Sequence, residues 1–287
     1  MSKLVDSKIV RKIESLSLNP NLSSDKGNSG QRKSKGHGNS MEFSDFREYF
    51  PGDDIRKIDW NIYGRFEKLF VKLFQEEREV LFNIIIDNSI SMDYGSPSKL
   101  ELSKQLGALL SYIILNNDDR VMLHYMSGEV LKSSERFKSK NSFFNVVKML
   151  ESIEATSGQI SPKIMKSDFS SGVSIYLSDF YDIDALKSIK YLSYKRQRLV
   201  LLQTMSDKEL HPKENGEIRL IDSEDGSFKD IKLNGRIIES YKDKLGEFVE
   251  TFKVSANSTG GYHILVPTDL SIDEILFKKM VKLGLLR

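Results

Sequence analysis

The chain has 287 residues, a net charge of +2, 39% hydrophobic and 29% charged residues, and no cysteine. These values fit a globular chain long enough to bury a full core. They exclude disulfides, thiolate chemistry and cysteine-ligated zinc or iron–sulfur centres, and the charge is too small to argue for nucleic acid.

His37, His124, His211 and His263 are scattered without metal-ligand spacing. The N-terminus lacks an apolar signal core, and the longest apolar stretch, around Leu106 to Leu115, is too short to span a bilayer. The expectation is a cytoplasmic protein with no membrane insertion.

Residues 1–18 form an N-terminal segment in which Ile9, Ile13 and Leu16 make one helical stripe. Residues 19–40 are polar and rich in Gly, Ser and Asn, as expected of a loop. Lys26, Arg32, Lys33 and Lys35 make it basic across 26–35; a solvated loop is the first reading and an acidic partner the second.

Residues 41–80 are denser. Pro51-Gly52 marks a turn, and Asp53 or Asp54 is positioned to cap a short helical turn that carries Ile55 and Ile58 inward. Arg47, Glu48, Asp53, Asp54, Arg56, Asp59 and Arg65 are spaced for an ion-pair network, and Trp60 is expected as a core anchor. Leu69 to Phe74 alternates as a strand.

From residue 81 to 287, strand and helix signals alternate. Phe82 to Ile86 is a short β-branched run, read as a buried strand. Ser98 caps a helix to about Leu115, Arg120 to Met126 is a strand with His124 in the core, and Asn141 to Ile153 is a helix turning Phe144, Val147, Met149 and Leu150 inward. A helical turn at Pro162–Lys166, a strand at Val173–Leu177, a helix over 184–195 and a strand at Leu199–Gln203 follow. Two alternating runs around Asp225-Gly226 signal a hairpin inserted at about 215–235. A helix over Tyr241–Val254, a strand over Tyr262–Val266 and a last helix capped by Asp269 or Ser271 complete the chain. The pattern predicts an α/β fold, a doubly wound and mostly parallel sheet covered on both faces, with a smaller N-terminal extension.

The first strand ends in Asp87, followed by Ser89 and Ser91; a second strand ends in Ser178-Asp179-Phe180. Ligands of open α/β sheets sit outside the carboxyl ends of the strands, and an oxygen-only donor set suits a hard divalent cation. The plain alternative is a turn and a helix cap, roles that Asp and Ser also favour.

Two motifs carry a resemblance. One is Arg47, Tyr49, Pro51, Gly52, Asp53, Asp54, Arg56, Asp59 and Trp60, with Arg65 and Lys72 downstream; the other is Asp87, Ser89, Ser91 and Met92, with Lys99 opening the next helix. Together with Ser178-Asp179-Phe180 and the hairpin at Asp222-Ser-Glu224, they resemble a bacterial family, domain of unknown function 58, whose core is a von Willebrand factor A-type domain. The resemblance runs from about Gly36 to the end and implies a Rossmann-type fold with a metal-ion-dependent adhesion site. Asp87, Ser89, Ser91 and Asp179 would hold Mg²⁺ or Mn²⁺ with a second-loop threonine. At that place Gln159 stands where threonine is expected, and Thr156 or Ser161 are alternatives. The implied role is a non-catalytic adaptor that accepts a partner's carboxylate, working with a MoxR-type AAA+ ATPase on a client protein. The competing readings are a Mg²⁺-dependent hydrolase or phosphatase, which the missing nucleotide and nucleophile motifs disfavour, and a metal-free scaffold.

Overall fold

The computed structural model describes residues 4–22, 42–75, 79–212, 216–221 and 226–287; the basic stretch 26–35 and the hairpin tip 222–225 lie outside them. In chain order the elements are α1 (Ser7–Ile13), β1 (Glu42–Glu48), α2 (Trp60–Phe66), β2 (Phe70–Gln75), β3 (Leu81–Ile86), α3 (Lys99–Asn116), β4 (Arg120–Ser127) and β5 (Val130–Ser133). There follow α4 (Phe143–Glu151), α5 (Ser161–Ile164), β6 (Gly172–Ser178), α6 (Ala185–Tyr194), β7 (Gln197–Met205), α7 (Asp207–Leu210), β8 (Gly216–Ile221), β9 (Phe228–Leu233), α8 (Gly235–Asn257) and β10 (Tyr262–Pro267), then a π-helix over Glu274–Met280. The chain divides into two compact units, residues 25–79 and the remainder.

The larger unit is a mixed α/β fold on a six-stranded sheet, ordered β10-β7-β6-β3-β4-β5. All neighbours are parallel except β5, which returns antiparallel to β4. The alternation of β3 explains why both faces are covered. Phe82, Ile84 and Ile86 face a core with Ile13 of α1, Leu106 of α3, Leu150 of α4 and Ile275 of the π-helix. Ile85 faces the opposite core, with Ile164 of α5, Ile189 of α6 and Phe252 of α8. Each such buried aliphatic side chain stabilises the fold by roughly 1.5–3 kcal/mol.

The long helix α3 begins with a complete capping box, Ser98 with Glu101. Gly107 lets it approach the sheet closely: a Cβ there would sit 3.1 Å from Ile86 Cδ1. The sheet also carries a satisfied polar chain. His124 pairs with Ser133 Oγ at 2.8 Å and Asn83 Oδ1 at 3.0 Å, and Asn83 Nδ2 donates to Gln197 at 3.2 Å. Burial holds His124 down at about 4, as befits a core histidine.

The smaller unit pairs β1 with β2 antiparallel. Pro51-Gly52 makes the expected turn, with Gly52 at φ 108° and the Asp53 amide donating to the Phe50 carbonyl at 3.0 Å. Asp54 caps the following 3-10 turn, Ile55–Lys57.

Several expectations need correction. Ile58 is buried, but Ile55 and Trp60 are 63% and 62% exposed, so neither is a core anchor. Phe144 is 74% exposed because Phe143, Val146, Val147 and Leu150 supply the inward stripe of α4. The strand β5 and the helix α7 had no sequence signal strong enough to name them. The helix α8 starts at Gly235, capped by Asn234, several residues earlier than expected. The last helix is capped by Ser271, whose Oγ accepts from the Glu274 amide at 3.3 Å, and it winds as a π-helix.

Candidate metal centre

The sheet order reverses between β3 and β6: the chain leaves β3 toward β4 on one side and returns to β6 on the other. That switch point is where an open α/β sheet leaves a crevice at its carboxyl edge. Asp87 follows the last residue of β3 and Asp179 the last of β6, and the strands are in register there, Ile86 opposite Leu177. The Asp87 amide donates to the Leu177 carbonyl at 2.9 Å, extending the pairing to the carboxylate itself.

The structure brings Asp87, Ser89, Ser91 and Asp179 together. Ser89 Oγ and Ser91 Oγ are 3.1 Å apart, and Ser91 Oγ donates to Asp179 Oδ2 at 3.0 Å. Asp87 accepts from the Ser89 amide at 3.0 Å and from Ser178 Oγ at 2.6 Å. Both aspartates are buried. Burial, and secondarily the charge of Asp179, push the Asp87 carboxyl up to about 6.

Backbone geometry aims the second carboxylate. Phe180 adopts a left-handed φ of 62°, which strains a bulky residue. Its ring is buried against Tyr176 and stacked on Phe252 at 4.8 Å, contacts that offset the strain. The Phe180 amide donates to Ser178 Oγ at 2.8 Å and the Tyr181 amide to Asp179 Oδ1 at 3.1 Å, closing the turn.

The second-loop candidates separate. Thr156 bridges Ser89, its amide donating to the Asn88 carbonyl at 2.8 Å. Gln159 lies half-buried in the loop before α5. Ser161 turns to the opposite core, its Oγ 3.4 Å from the Tyr176 hydroxyl and 3.3 Å from Ser188 Oγ.

Asn88 escaped sequence reasoning, and Lys99 stood there only as the residue that opens α3. Asn88 staples the loops: its Nδ2 donates to the Met126 carbonyl at 2.9 Å and the Glu154 carbonyl at 2.7 Å, and its Oδ1 accepts from the Met126 amide at 2.9 Å. Lys99, 1% exposed, donates from Nζ to Asp179 Oδ2 and to Glu209 Oε1, each at 2.8 Å. Burial pulls this ammonium down, but Asp179 and Glu209 together lift it above the ordinary lysine range. Ser206 and Glu209 close a capping box at the start of α7, and nothing in their spacing indicates that Glu209 meets Lys99. Among the described residues, no three of the acidic or histidine side chains converge as a metal cluster. The candidate centre groups two carboxylates and two hydroxyls.

From Ser91 and Lys99 a groove of about 600 Å³ runs along Leu220, Ile221, Ile231 and Ile237. Among these, Leu220, Ile221 and Ile237 are exposed.

In the signature segment, Arg47 pairs with Asp53 at 2.8 Å, Arg56 with Asp54 at 3.0 Å and Lys72 with Asp59 at 3.0 Å. Asp59 also caps α2, accepting from the amides of Asn61 and Ile62. Tyr49 is half-buried, its amide donating to the Leu69 carbonyl at 2.9 Å. These contacts close the β1–β2 connection.

The family described as "Protein of unknown function DUF58" matches residues 45–247. Uncharacterized protein Rv1480 of Mycobacterium tuberculosis is 19% identical over 214 residues, covering 71% of this chain and 67% of that protein. Uncharacterized protein Mb1516 of Mycobacterium bovis matches with the same identity and coverage. Among solved structures, the conserved hypothetical protein BatB from Bacteroides thetaiotaomicron aligns with a TM-score of 0.42 and 16% identity over 71% of this chain and 98% of that one. An aerotolerance-related membrane protein from Bacteroides fragilis aligns with a TM-score of 0.40 and the same identity and coverage. In this chain, no described helix is long and apolar enough to cross a membrane.

Proposed function

The chain belongs to the DUF58 family, and from that premise we propose that it is a von Willebrand factor A-like binding module whose metal-ion-dependent adhesion site accepts a carboxylate of a protein partner without turnover. The supporting observation is the meeting of Asp87 and Asp179 with Ser89 and Ser91 at the switch point of the sheet.

The donor set fits a hard divalent cation, Mg²⁺ or Mn²⁺: it consists of oxygens alone, two of them from carboxylates. Asp87, Ser89, Ser91 and Asp179 would hold the ion, with Thr156 as the second-loop hydroxyl beside Ser89. When bound, the cation supplies positive charge not fully cancelled by its ligands, which attracts one further acid. Ser178 and the Ser89 amide orient Asp87, and the left-handed turn at Phe180 orients Asp179. The groove beyond Ser91 offers apolar surface to the residues flanking that acid, as expected of an interaction site.

Binding without turnover suits the histidines. His124 and His263 both hydrogen-bond within the sheet and both are held at about 4, chiefly by burial, so neither is a poised base. The partner in this proposal is a MoxR-type AAA+ ATPase acting with the module on a client; family resemblance alone carries that part. The metal-free scaffold keeps one observation in its favour, the Lys99 ammonium already seated on Asp179.

Affinity capture of a MoxR-type ATPase by wild type and Asp87→Ala, with and without chelator, tests the proposal. Capture lost in both the variant and the chelator supports it. Capture indifferent to both refutes the metal-dependent contact.

A further inference from the structure

Lys99 is the first residue of α3, the end of a helix where a positive charge is disfavoured. It is also almost wholly removed from solvent, where an unpaired ammonium is costly. Two acids from distant parts of the chain make this position tolerable. Asp179 and Glu209 each lie 2.8 Å from Nζ, and the Tyr181 ring lies 5.4 Å away by its centroid.

The two acids differ in what else they do. Asp179 Oδ2, the oxygen that meets Lys99, is also the acceptor of Ser91 Oγ and faces the candidate cation site. Glu209 Oε1 meets Lys99, while Oε2 accepts from the Ser206 amide at 2.7 Å. Ser206 Oγ accepts from the Glu209 amide in return, and the Glu209 carbonyl accepts from Tyr241 at 2.8 Å. Glu209 is thus fixed by α7 and α8 independently of the aspartates. Asp87 has no contact with Lys99; its partners are Ser178 and the Ser89 amide.

We propose that Lys99 is a tethered counter-ion that neutralises Asp179 when no divalent cation is bound and withdraws onto Glu209 when one is. This inference rests on the cation-binding reading above and assigns its control. Loading is then an exchange of one positive charge for another at Asp179 Oδ2. The exchange keeps the empty site from repelling itself apart, and it weakens affinity, because the incoming ion must displace the ammonium. Glu209 is the receiving seat, and its strength sets how readily the displacement occurs.

Opposite-sign variants test this. Titration calorimetry with Mg²⁺ and, separately, Mn²⁺ is run on wild type, Lys99→Met and Glu209→Gln, with thermal unfolding of each in chelator and in Mg²⁺. Lys99→Met is expected to bind Mg²⁺ roughly tenfold more tightly than wild type, and to unfold at lower temperature in chelator with recovery in Mg²⁺. Glu209→Gln is expected to bind Mg²⁺ more weakly than wild type, because the withdrawn ammonium loses its seat. A Lys99→Met protein that binds Mg²⁺ no more tightly than wild type overturns the inference while leaving the cation site standing. If Lys99→Met does not fold, Glu209→Gln decides: affinity equal to or above wild type overturns the inference. Absence of Mg²⁺ and Mn²⁺ binding in all three proteins overturns the cation site itself, and this inference with it.

Discussion

Asp87 and Asp179 end adjacent parallel strands, yet Asp87 has neutral partners, the Ser178 hydroxyl and the Ser89 amide, whereas Asp179 meets the Lys99 ammonium. One carboxylate is neutralised inside the fold and the other is not. In the proposed cation site, the scaffold thus supplies one positive charge, Lys99, and leaves one negative charge over.

Removing each carboxylate in turn, in chelator, is the strongest way to break this comparison. Asp179→Ala leaves a buried ammonium with Glu209 alone and removes the acceptor of Ser91 Oγ and the Tyr181 amide; it is expected to lower the unfolding free energy by about 2–3 kcal/mol. Asp87→Asn removes an uncompensated charge at constant shape and should leave stability unchanged or higher. Urea unfolding of the two variants reads both outcomes; equal losses would erase the distinction between the carboxylates.

A pH series sharpens the same point. The folded-state value of Asp87 lies above its ordinary value, at about 6. The native state therefore holds a proton that the unfolded chain has released, and Asp87 contributes stability at low pH that is lost as pH rises through about 6. Without metal, the stability of wild type minus that of Asp87→Asn should fall by on the order of 2–3 kcal/mol between about pH 4 and 6, then level off. A difference that stays flat across this window would mean that Asp87 carries no such penalty.

A smaller effect is expected beside the carboxylates. Asn88→Ala removes three hydrogen bonds and unpairs the Met126 and Glu154 carbonyls. It should cost about 2 kcal/mol by denaturant unfolding. Metal affinity should also fall, because the loop bearing Thr156 loses its side-chain tie at Glu154 and keeps only the backbone bond from the Thr156 amide to the residue-88 carbonyl. Unchanged affinity would show that the second loop contributes nothing to the centre.

The legible parts of this architecture were local. The β3 strand, the Ser98 cap of α3 and the turn at Pro51-Gly52 follow from a short β-branched apolar run, capping chemistry and backbone freedom over a few residues. Which apolar residue stays bare was not legible. Phe143 and Phe144 are equally apolar, and only the phase of the stripe through Val146, Val147 and Leu150 decides between them. Trp60 and Ile55 show the same limit, since hydrophobicity does not say that a surface is covered. The centre divides likewise. Aspartates at two strand tips could be noticed in the sequence, but Lys99 meets partners 80 and 110 residues away, a pairing that only the packed fold creates.

Anomalous scattering from crystals grown in Mn²⁺ tests the central claim most directly. One Mn²⁺ peak bounded by the oxygens of Asp87, Ser89, Ser91 and Asp179, with Lys99 Nζ withdrawn to Glu209, is the predicted result. No peak there, with Lys99 still on Asp179 at saturating Mn²⁺, would contradict it.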